Sequence, residues 1–225
     1  MIDIQYINSN VAMSGIVADI VEYTIKHSIG PCKIAFPTGN TPIEMYANLV
    51  LRPLNWENTY SFQLDEYVGL PNGHPELYTQ FMYEHLYSKV NINQLHIFSP
   101  MLNINYDDII NTHGGLDLAI LGLGHNGHIA FNEPGSEFNS VTRQIVLEES
   151  TRVNNSKWFK SLNEVPTTAM TMGLSTIMSA RHIVLMVQGI NKFTMLKQAL
   201  WGKRTEHIPC SVLQTHSNIK VLYCD

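Results

Sequence analysis

Two short apolar runs constrain the fold of this chain more than any other feature of its sequence. Leu116–Leu121 reads LDLAIL and Ile183–Val187 reads IVLMV, so almost every position in them is apolar. Such runs are typical of strands in a sheet that is covered on both faces, because neither face then needs polar side chains. We expect further strands from shorter runs at Ile4–Ile7, Cys32–Phe36, Tyr60–Leu64, Val141–Leu147 and Ile219–Tyr223.

Amphipathic stretches lie between these runs and predict helices. The predicted helices are Asn10–Lys26, Thr41–Leu51, Glu76–Val90 and Asn191–Leu200. Alternating strands and helices favour a three-layer α/β fold, with a mostly parallel, Rossmann-like sheet and helices on both faces. Because the sequence contains no linker, repeat or low-complexity segment, we expect residues 1–225 to form a single domain. Ligands of such sheets bind beyond the carboxyl ends of the strands.

The composition argues against several classes of function. The chain of 225 residues has a formal net charge of −5 and no cluster of Lys and Arg, so we expect no nucleic-acid partner. No apolar run reaches the roughly 18 residues of a membrane span. With no targeting signal before the first strand, we expect no membrane partner and a cytoplasmic location. The three cysteines are too widely spaced to indicate a disulfide framework. The sequence leaves open whether the protein is a monomer or a homo-oligomer.

The loop after the second predicted strand has the features of an anion site. A Thr-Gly-Asn turn at 38–40 precedes Thr41, Pro42 and Glu44. These three residues fit the N-cap, the first position and the third position of a helix, which together form a capping box. Free N–H groups at a strand–turn–helix junction favour an anion. An ordinary, well-capped turn remains the alternative.

Two adjacent carboxylates, Asp65 and Glu66, follow the third predicted strand. Neighbouring residues of an extended chain point in opposite directions. One carboxylate can therefore face a cleft while the other braces the loop, and a partly buried Asp65 would suit a general base. A solvated acidic turn is the alternative interpretation.

A glycine-rich loop follows the run at Leu116–Leu121. Gly122, Gly124 and Gly127 match the GxGxxG pattern of dinucleotide-binding folds. That motif normally lies in the first βα unit and opens a long helix. Here it lies in the middle of the chain, and Asn, Pro and Gly at 132–135 interrupt any helix. We therefore expect these glycines to let the backbone approach a small ligand closely.

The same loop carries His125 and His128. Two histidines without a recognisable third ligand are weak indications of a metal, and we expect none. His128 and Glu133 make better chemical sense as an acid/base pair, because a carboxylate can orient an imidazole. Asn126 can hold a ring nitrogen or a substrate hydroxyl. Further on, Lys192 lies near a predicted helix start, where the helix dipole disfavours a cation unless an anion is bound.

These segments together resemble the glucosamine-6-phosphate deaminase family in order and spacing over nearly the whole chain. The most specific stretch, GHIAFNEPG, begins at Gly127. The matching stretches are PTGNTP at 37–42, LDEYVGL at 64–70, LGLGHNGHIAFNEPG at 121–135, TRVNNSKWF at 151–159 and GINK at 189–192. The resemblance implies conversion of glucosamine 6-phosphate to fructose 6-phosphate and ammonia. No cofactor would be needed, because the substrate's own amino group and carbonyl carry the electrons.

The resemblance also implies roles by position. Asp65 would move a proton between C2 and C1, and His128, oriented by Glu133 and Asn126, would open the pyranose ring. The residues expected to bind the substrate and its phosphate are Thr38, Gly39, Asn40, Thr41, Glu66, Gly124, Lys157 and Lys192.

The chain departs from the family pattern at two of these positions. Some members carry Asp at position 126, so Asn126 leaves the ring-opening relay with one carboxylate, Glu133. Lys157 stands where members often have Arg, and a lysine cannot contact a phosphate in the bidentate way that an arginine can. Three alternatives stay open: a galactosamine-6-phosphate isomerase that forms tagatose 6-phosphate, a 6-phosphogluconolactonase, and a non-catalytic sugar-phosphate sensor. The presence of Asp65, His128 and Glu133 together argues against the sensor, because binding alone needs no base.

Overall fold

The structure, a computed structural model, describes residues 2–91, 94–96 and 105–225, and only the backbone of residues 94–96. Its strands are β1 (Ile4–Tyr6), β2 (Cys32–Phe36), β3 (Thr59–Gln63), β4 (Asp65–Val68), β5 (Gln94–His96), β6 (Leu118–Gly122), β7 (Arg143–Val146), β8 (Thr168–Thr171), β9 (Ile183–Gln188) and β10 (Ile219–Cys224). Its α-helices are α1 (Asn10–His27), α2 (Ile43–Leu49), α3 (Tyr78–Met82), α4 (Tyr106–Thr112), α5 (Glu149–Asn155), α6 (Leu174–Met178) and α7 (Ile190–Trp201).

The larger sheet has the strand order β1-β10-β9-β6-β2-β3-β5, and neighbouring strands are parallel throughout. Its central strands β6 and β9 are almost entirely apolar because each face of the sheet carries its own core. In β6, Ala119 and Leu121 belong to one apolar cluster, which includes side chains of α4, α6 and α7. Leu118 and Ile120 belong to the other cluster, which includes side chains of α1, α2 and α3. The predicted three-layer, mostly parallel α/β fold is therefore confirmed.

The chain connections of this sheet diverge between the neighbouring strands β2 and β6. The next strand of the sheet after β2 is β3, which lies on one side, whereas the next strand of the sheet after β6 is β9, which lies on the other side. The loops that leave the carboxyl ends of these neighbouring strands therefore diverge. A crevice at such a point is the usual ligand site of open α/β sheets. Both glycine-containing loops singled out in the sequence, at 37–42 and 122–128, begin here.

A smaller antiparallel sheet with the order β4-β8-β7 lies apart from the parallel one. We expected Asp65 and Glu66 in an extended part of the loop after the third strand, and these residues begin a further strand, β4, in which they pair with Thr171 and Met170. The predicted strand at Val141–Leu147 is β7, shortened to Arg143–Val146. β8 was not predicted, because its sequence TAMT is short and carries no apolar run.

Two helix starts also differ from prediction. Thr41 is not the N-cap of α2, because Pro42 holds that position: its carbonyl accepts from the N–H of Tyr46 at 3.0 Å, and the N-cap residue makes no side-chain capping bond. The predicted helix Glu76–Val90 is shorter, since α3 spans Tyr78–Met82 and passes into a π-helical turn at Tyr83–Tyr87. Among the helices described, none combines the length and the apolar character that crossing a membrane requires.

The amino ends of β2 and β6 are joined by Asp117. Its Oδ2 accepts from the backbone N–H of Lys33 at 2.9 Å and lies 2.8 Å from Lys33 Nζ. Both side chains are largely buried, whereas Arg181, which also pairs with Asp117, is 60% exposed. The Lys33 ammonium is thus the charge that most depends on Asp117.

We predict that Asp117→Ala lowers the free energy of unfolding by about 3–5 kcal/mol, because removing one partner leaves a buried ammonium unpaired. Urea denaturation monitored by circular dichroism measures the change. The double variant Lys33→Met/Asp117→Ala should be more stable than Asp117→Ala, since it removes both charges. Equal midpoints for the wild type and Asp117→Ala would show that the pair contributes nothing.

Candidate active site

A cavity of about 340 Å³ opens at the carboxyl ends of β2, β6 and β9. It is lined by the loops after β2 and β6, the bend before β4, the end of α5 and the start of α7. The predicted site residues in its lining are Thr38, Gly39, Asn40, Thr41, Asp65, Gly124, His128, Lys157 and Lys192. Asn126 and Glu133 lie behind His128, and Glu66 lies behind Asp65.

One end of the cavity is suited to an anion. The backbone N–H groups of Thr38, Gly39, Asn40 and Thr41 donate to no other residue in the described part of the chain. Lys192 lies in the first turn of α7, and burial together with the charge of Lys157 lowers its pKa. Among the described residues, no carboxylate lies within 4 Å of either lysine. Free donors and two unpaired cations together favour a phosphate.

Asp65 faces the middle of this cavity from the bend between β3 and β4. Its side chain is buried, with 7% of the residue exposed, and no described group donates a hydrogen bond to it. Burial, and then the charge of Glu66, raises the pKa of Asp65 well above its ordinary value. A desolvated carboxylate without partners is a strong base, because nothing stabilises its ionised form.

Glu66 points away from the cavity, so its predicted place among the substrate-binding residues is wrong. Its two carboxylate oxygens accept hydrogen bonds from the backbone N–H groups of Tyr78 and Thr79 at 2.9 and 2.7 Å. The Thr79 hydroxyl also donates to it at 2.7 Å. Glu66 thereby caps the N-terminus of α3 from a neighbouring strand, and it fixes the bend that presents Asp65.

His128 is held by Asn126 rather than directly by Glu133. The backbone N–H of His128 donates to Asn126 Oδ1 at 3.2 Å, which fixes the orientation of the amide. His128 Nδ1 lies 2.7 Å from the same oxygen, so Nδ1 carries the proton and Nε2 is free to accept one. Asn126 Nδ2 in turn donates to Glu133 Oε2 at 2.9 Å, and that oxygen lies 3.5 Å from His128 Nδ1.

Glu133 supplies the negative charge of this relay. Burial alone would raise its pKa, but the interactions with His128, Thr151 and Asn126 outweigh burial and leave the pKa below the ordinary value. Glu133 is therefore ionised at neutral pH. It can stabilise a positive charge on His128 while Asn126 keeps the ring in place.

Gly124 lines the cavity, as expected, and it also makes room for one of the protein's own side chains. A Cβ at position 124 would lie 2.2–2.3 Å from three ring atoms of His128, Nε2 among them. The backbone N–H of Gly124 also donates to the His128 carbonyl at 2.9 Å. The imidazole can occupy its place against this loop only because residue 124 has no side chain.

Several cavity residues were not predicted as functional. Tyr78 lies beside Asp65, and Asn191 lies beside Lys192. Asn155 donates to the Tyr67 hydroxyl at 2.8 Å, while Asn154 contacts His125. The pattern TRVNNSKWF marked this segment as a whole, but nothing in it indicated that both asparagines would line the cavity.

Known proteins place the chain in a family. A family profile described as "Glucosamine-6-phosphate isomerases/6-phosphogluconolactonase" matches residues 9–222. The chain belongs to this family. Two similar members are named glucosamine-6-phosphate deaminase. The protein of Lachnoclostridium phytofermentans is 40% identical over 85% of this chain and 86% of its own length. That of Malacoplasma penetrans is 41% identical over 84% and 85%.

Solved structures of the family show the same architecture. One described as a monomeric glucosamine-6-phosphate deaminase superposes with a TM-score of 0.93 at 31% identity, covering 99% of this chain and 97% of that one. A putative 6-phosphogluconolactonase from Neisseria gonorrhoeae superposes with a TM-score of 0.76 at 20% identity and covers all of both chains. The second likeness concerns the fold alone.

We predict that Gly124→Ala displaces His128, because the new methyl group would overlap the ring. The His128 Nδ1–H proton, shielded by its bond to Asn126, should give a slowly exchanging signal in NMR spectra of ¹⁵N-histidine-labelled protein, and this signal should disappear in the variant. We also expect overpacking to cost about 1–3 kcal/mol of stability.

Gly15→Ala in α1 is the matched control for this experiment, because a Cβ there meets no atom within 4 Å. The control should keep the His128 signal. If Gly124→Ala also kept the signal unchanged, the inferred packing of His128 on this glycine would be refuted.

Proposed function

We propose that this protein converts glucosamine 6-phosphate and water to fructose 6-phosphate and ammonia. One observation carries the proposal: a desolvated, unpartnered carboxylate, Asp65, faces the same cavity as the free Nε2 of His128 and two unpaired lysines. Family members 36–41% identical to this chain are named glucosamine-6-phosphate deaminase, which supports the assignment.

The phosphate would bind at the end of the cavity formed by residues 38–41, Lys157 and Lys192. The negative charge of the phosphate would attract both lysine ammonium groups and offset the repulsion between them. Binding at a group remote from the reacting carbons supplies energy that positions C1 and C2. Lys157 acts as a point charge on an exposed segment, so we assign the larger share of phosphate binding to the more buried Lys192.

Ring opening falls to His128. Its Nε2 accepts the proton of the C1 hydroxyl and returns a proton to the ring oxygen as the C1–O5 bond breaks, which leaves an aldehyde at C1. During this exchange the imidazole is transiently positive. The ionised Glu133, 3.5 Å from Nδ1, stabilises that charge, while Asn126 keeps Nδ1–H in place.

Isomerisation falls to Asp65. The carboxylate takes the proton from C2 while a proton of the substrate's ammonium group passes to O1, which forms an enolamine. The carboxyl group then delivers its proton to C1, which leaves an iminium at C2. Water adds to C2 and ammonia leaves, which completes the ketose. The raised pKa of Asp65 makes it a better acceptor for a weakly acidic C–H proton than an ordinary carboxylate.

We place the reaction in the cytoplasm, since the three cysteines are buried and free.

We predict that the purified protein releases ammonia from glucosamine 6-phosphate faster than from galactosamine 6-phosphate. A coupled ammonia assay, with both substrates side by side, tests this prediction. Release from galactosamine 6-phosphate alone would assign the protein to the other epimer. Hydrolysis of 6-phosphogluconolactone without ammonia release would identify a lactonase, and tight binding without turnover would identify a sensor.

We predict that Asp65→Asn lowers kcat by about 10²–10⁴-fold, because the amide cannot accept the C2 proton. Lys192→Ala should instead raise KM for the sugar phosphate and change kcat less. Near-wild-type kcat in Asp65→Asn would exclude Asp65 as the base, and an unchanged KM in Lys192→Ala would refute the phosphate site.

The same variant tests the raised pKa of Asp65. A carboxyl group whose pKa is raised by folding stabilises the protein at low pH, and this stabilisation is lost as the pH rises through the folded-state value. Asp65→Asn should therefore be more stable than the wild type at pH 8, and the difference should shrink as the pH falls below the raised pKa. Thermal unfolding at a series of pH values measures it; a difference independent of pH would contradict the assignment.

A further inference from the structure

His125 forms a contact across the rim of the cavity that the proposed reaction does not use. Its Nδ1 lies 2.8 Å from Nδ2 of Asn154, so the loop after β6 is joined to α5. Both side chains line the cavity and both are exposed at its mouth. No role in phosphate binding, ring opening or proton transfer from C2 requires this pair.

The contact sets the proton position on His125. The amide nitrogen of Asn154 donates, so Nδ1 of His125 accepts and the ring proton lies on Nε2. Partial burial, followed by the electrostatic influence of His128, lowers the pKa of His125, which favours the neutral ring. His128 has the opposite arrangement, because its Nδ1 donates to Asn126. The cavity thus has a donor nitrogen on His125 and an acceptor nitrogen on His128, in rings 6.0 Å apart.

The position of His125 indicates what the donor meets. The ring of His125 lies 6.0 Å from the ring of His128, and it lines the same cavity as Lys192, so it can reach a ligand that spans the ring-opening end and the phosphate end of the site. In a bound amino-sugar 6-phosphate, the carbons between these ends are C3 to C5, which carry hydroxyl groups. We propose that His125 is a specificity-determining residue whose Nε2–H donates to the middle one of these hydroxyls, at C4, and that Asn154 is the positioning residue that holds it. This inference rests on the proposed function.

A directed donor discriminates between epimers. Inverting a carbon moves its hydroxyl to the other face of the chain, and the donor is then left without its partner. A donor that the bound substrate shields from water and leaves unpaired is what makes hydrogen-bonding sites selective, whereas apolar contacts distinguish such isomers poorly. His125 should therefore affect the preference between glucosamine and galactosamine 6-phosphates more than it affects phosphate binding.

The test compares His125→Phe, which keeps a ring but removes both nitrogens, with His125→Gln, which can restore an N–H donor. We define the epimer ratio as kcat/KM for glucosamine 6-phosphate divided by kcat/KM for galactosamine 6-phosphate. We expect His125→Phe to reduce this ratio by about 3- to 10-fold, which corresponds to the loss of one neutral hydrogen bond. His125→Gln should recover part of this ratio, and the inhibition constant of inorganic phosphate should stay unchanged. His27→Phe, at an exposed histidine of α1, is the matched control and should behave like the wild type.

A double-mutant cycle tests the role of Asn154. Asn154→Leu should also lower the epimer ratio. The double variant with His125→Phe should have a ratio only slightly lower than that of His125→Phe alone, since the two residues act as one unit. An unchanged ratio in His125→Phe overturns the proposal. Fully additive losses overturn the part assigned to Asn154.

Binding measurements separate this inference from the proposed function. If the wild type releases no ammonia, calorimetric affinities for glucitol 6-phosphate and galactitol 6-phosphate replace the kinetic ratio. A preference that His125→Phe reduces supports the role of His125 although the proposed reaction has failed. A preference that the variant leaves unchanged, or no preference in the wild type, overturns it.

Discussion

The site depends on one constraint of the fold, the divergence of the chain connections that follow the neighbouring strands β2 and β6. Both strands are buried on both faces, so neither can shift without exposing one of the two cores. Because the chain leaves them in opposite directions, their carboxyl ends cannot be covered by a common helix. The loop at 38–41 therefore keeps unpaired backbone donors, and the loop at 122–128 has room to place His128 opposite them.

Three buried carboxylates near this crevice show how surroundings assign different tasks to one chemical group. Glu66 accepts several hydrogen bonds and serves as a cap. Glu133 is stabilised by Asn126 and His128 and remains charged. Asp65 has no donor among the described residues, and its ionised form is the least stable of the three. Burying such a charge costs several kcal/mol in stability. The large double core tolerates that cost, and the site gains a reactive base.

Sequence patterns predicted the parts of the fold that depend on local periodicity. The apolar runs of β6 and β9 and the amphipathic stretch of α1 lie close to where they were expected. Several of the missed features depend on other parts of the structure. β8 is a strand because β4 and β7 lie beside it, and α3 starts where Glu66, twelve residues before Tyr78, caps it. The need for Gly124 likewise arises from the ring of His128, which no local pattern indicates.

Asparagine at position 126 changes how the ring-opening relay titrates. A carboxylate there would lie within hydrogen-bond distance of Glu133, given the 2.9 Å between Asn126 Nδ2 and Glu133 Oε2. Two carboxylates so close share a proton, and the pKa of one is strongly raised. The amide avoids this coupling, since it donates to Glu133 and accepts from His128 without gaining or losing a proton. Glu133 therefore stays ionised, and Asn126 Oδ1 holds the Nδ1 proton of His128 in place. The relay retains one carboxylate, and acid–base exchange at Nε2 proceeds without a proton moving between Asn126 and Glu133.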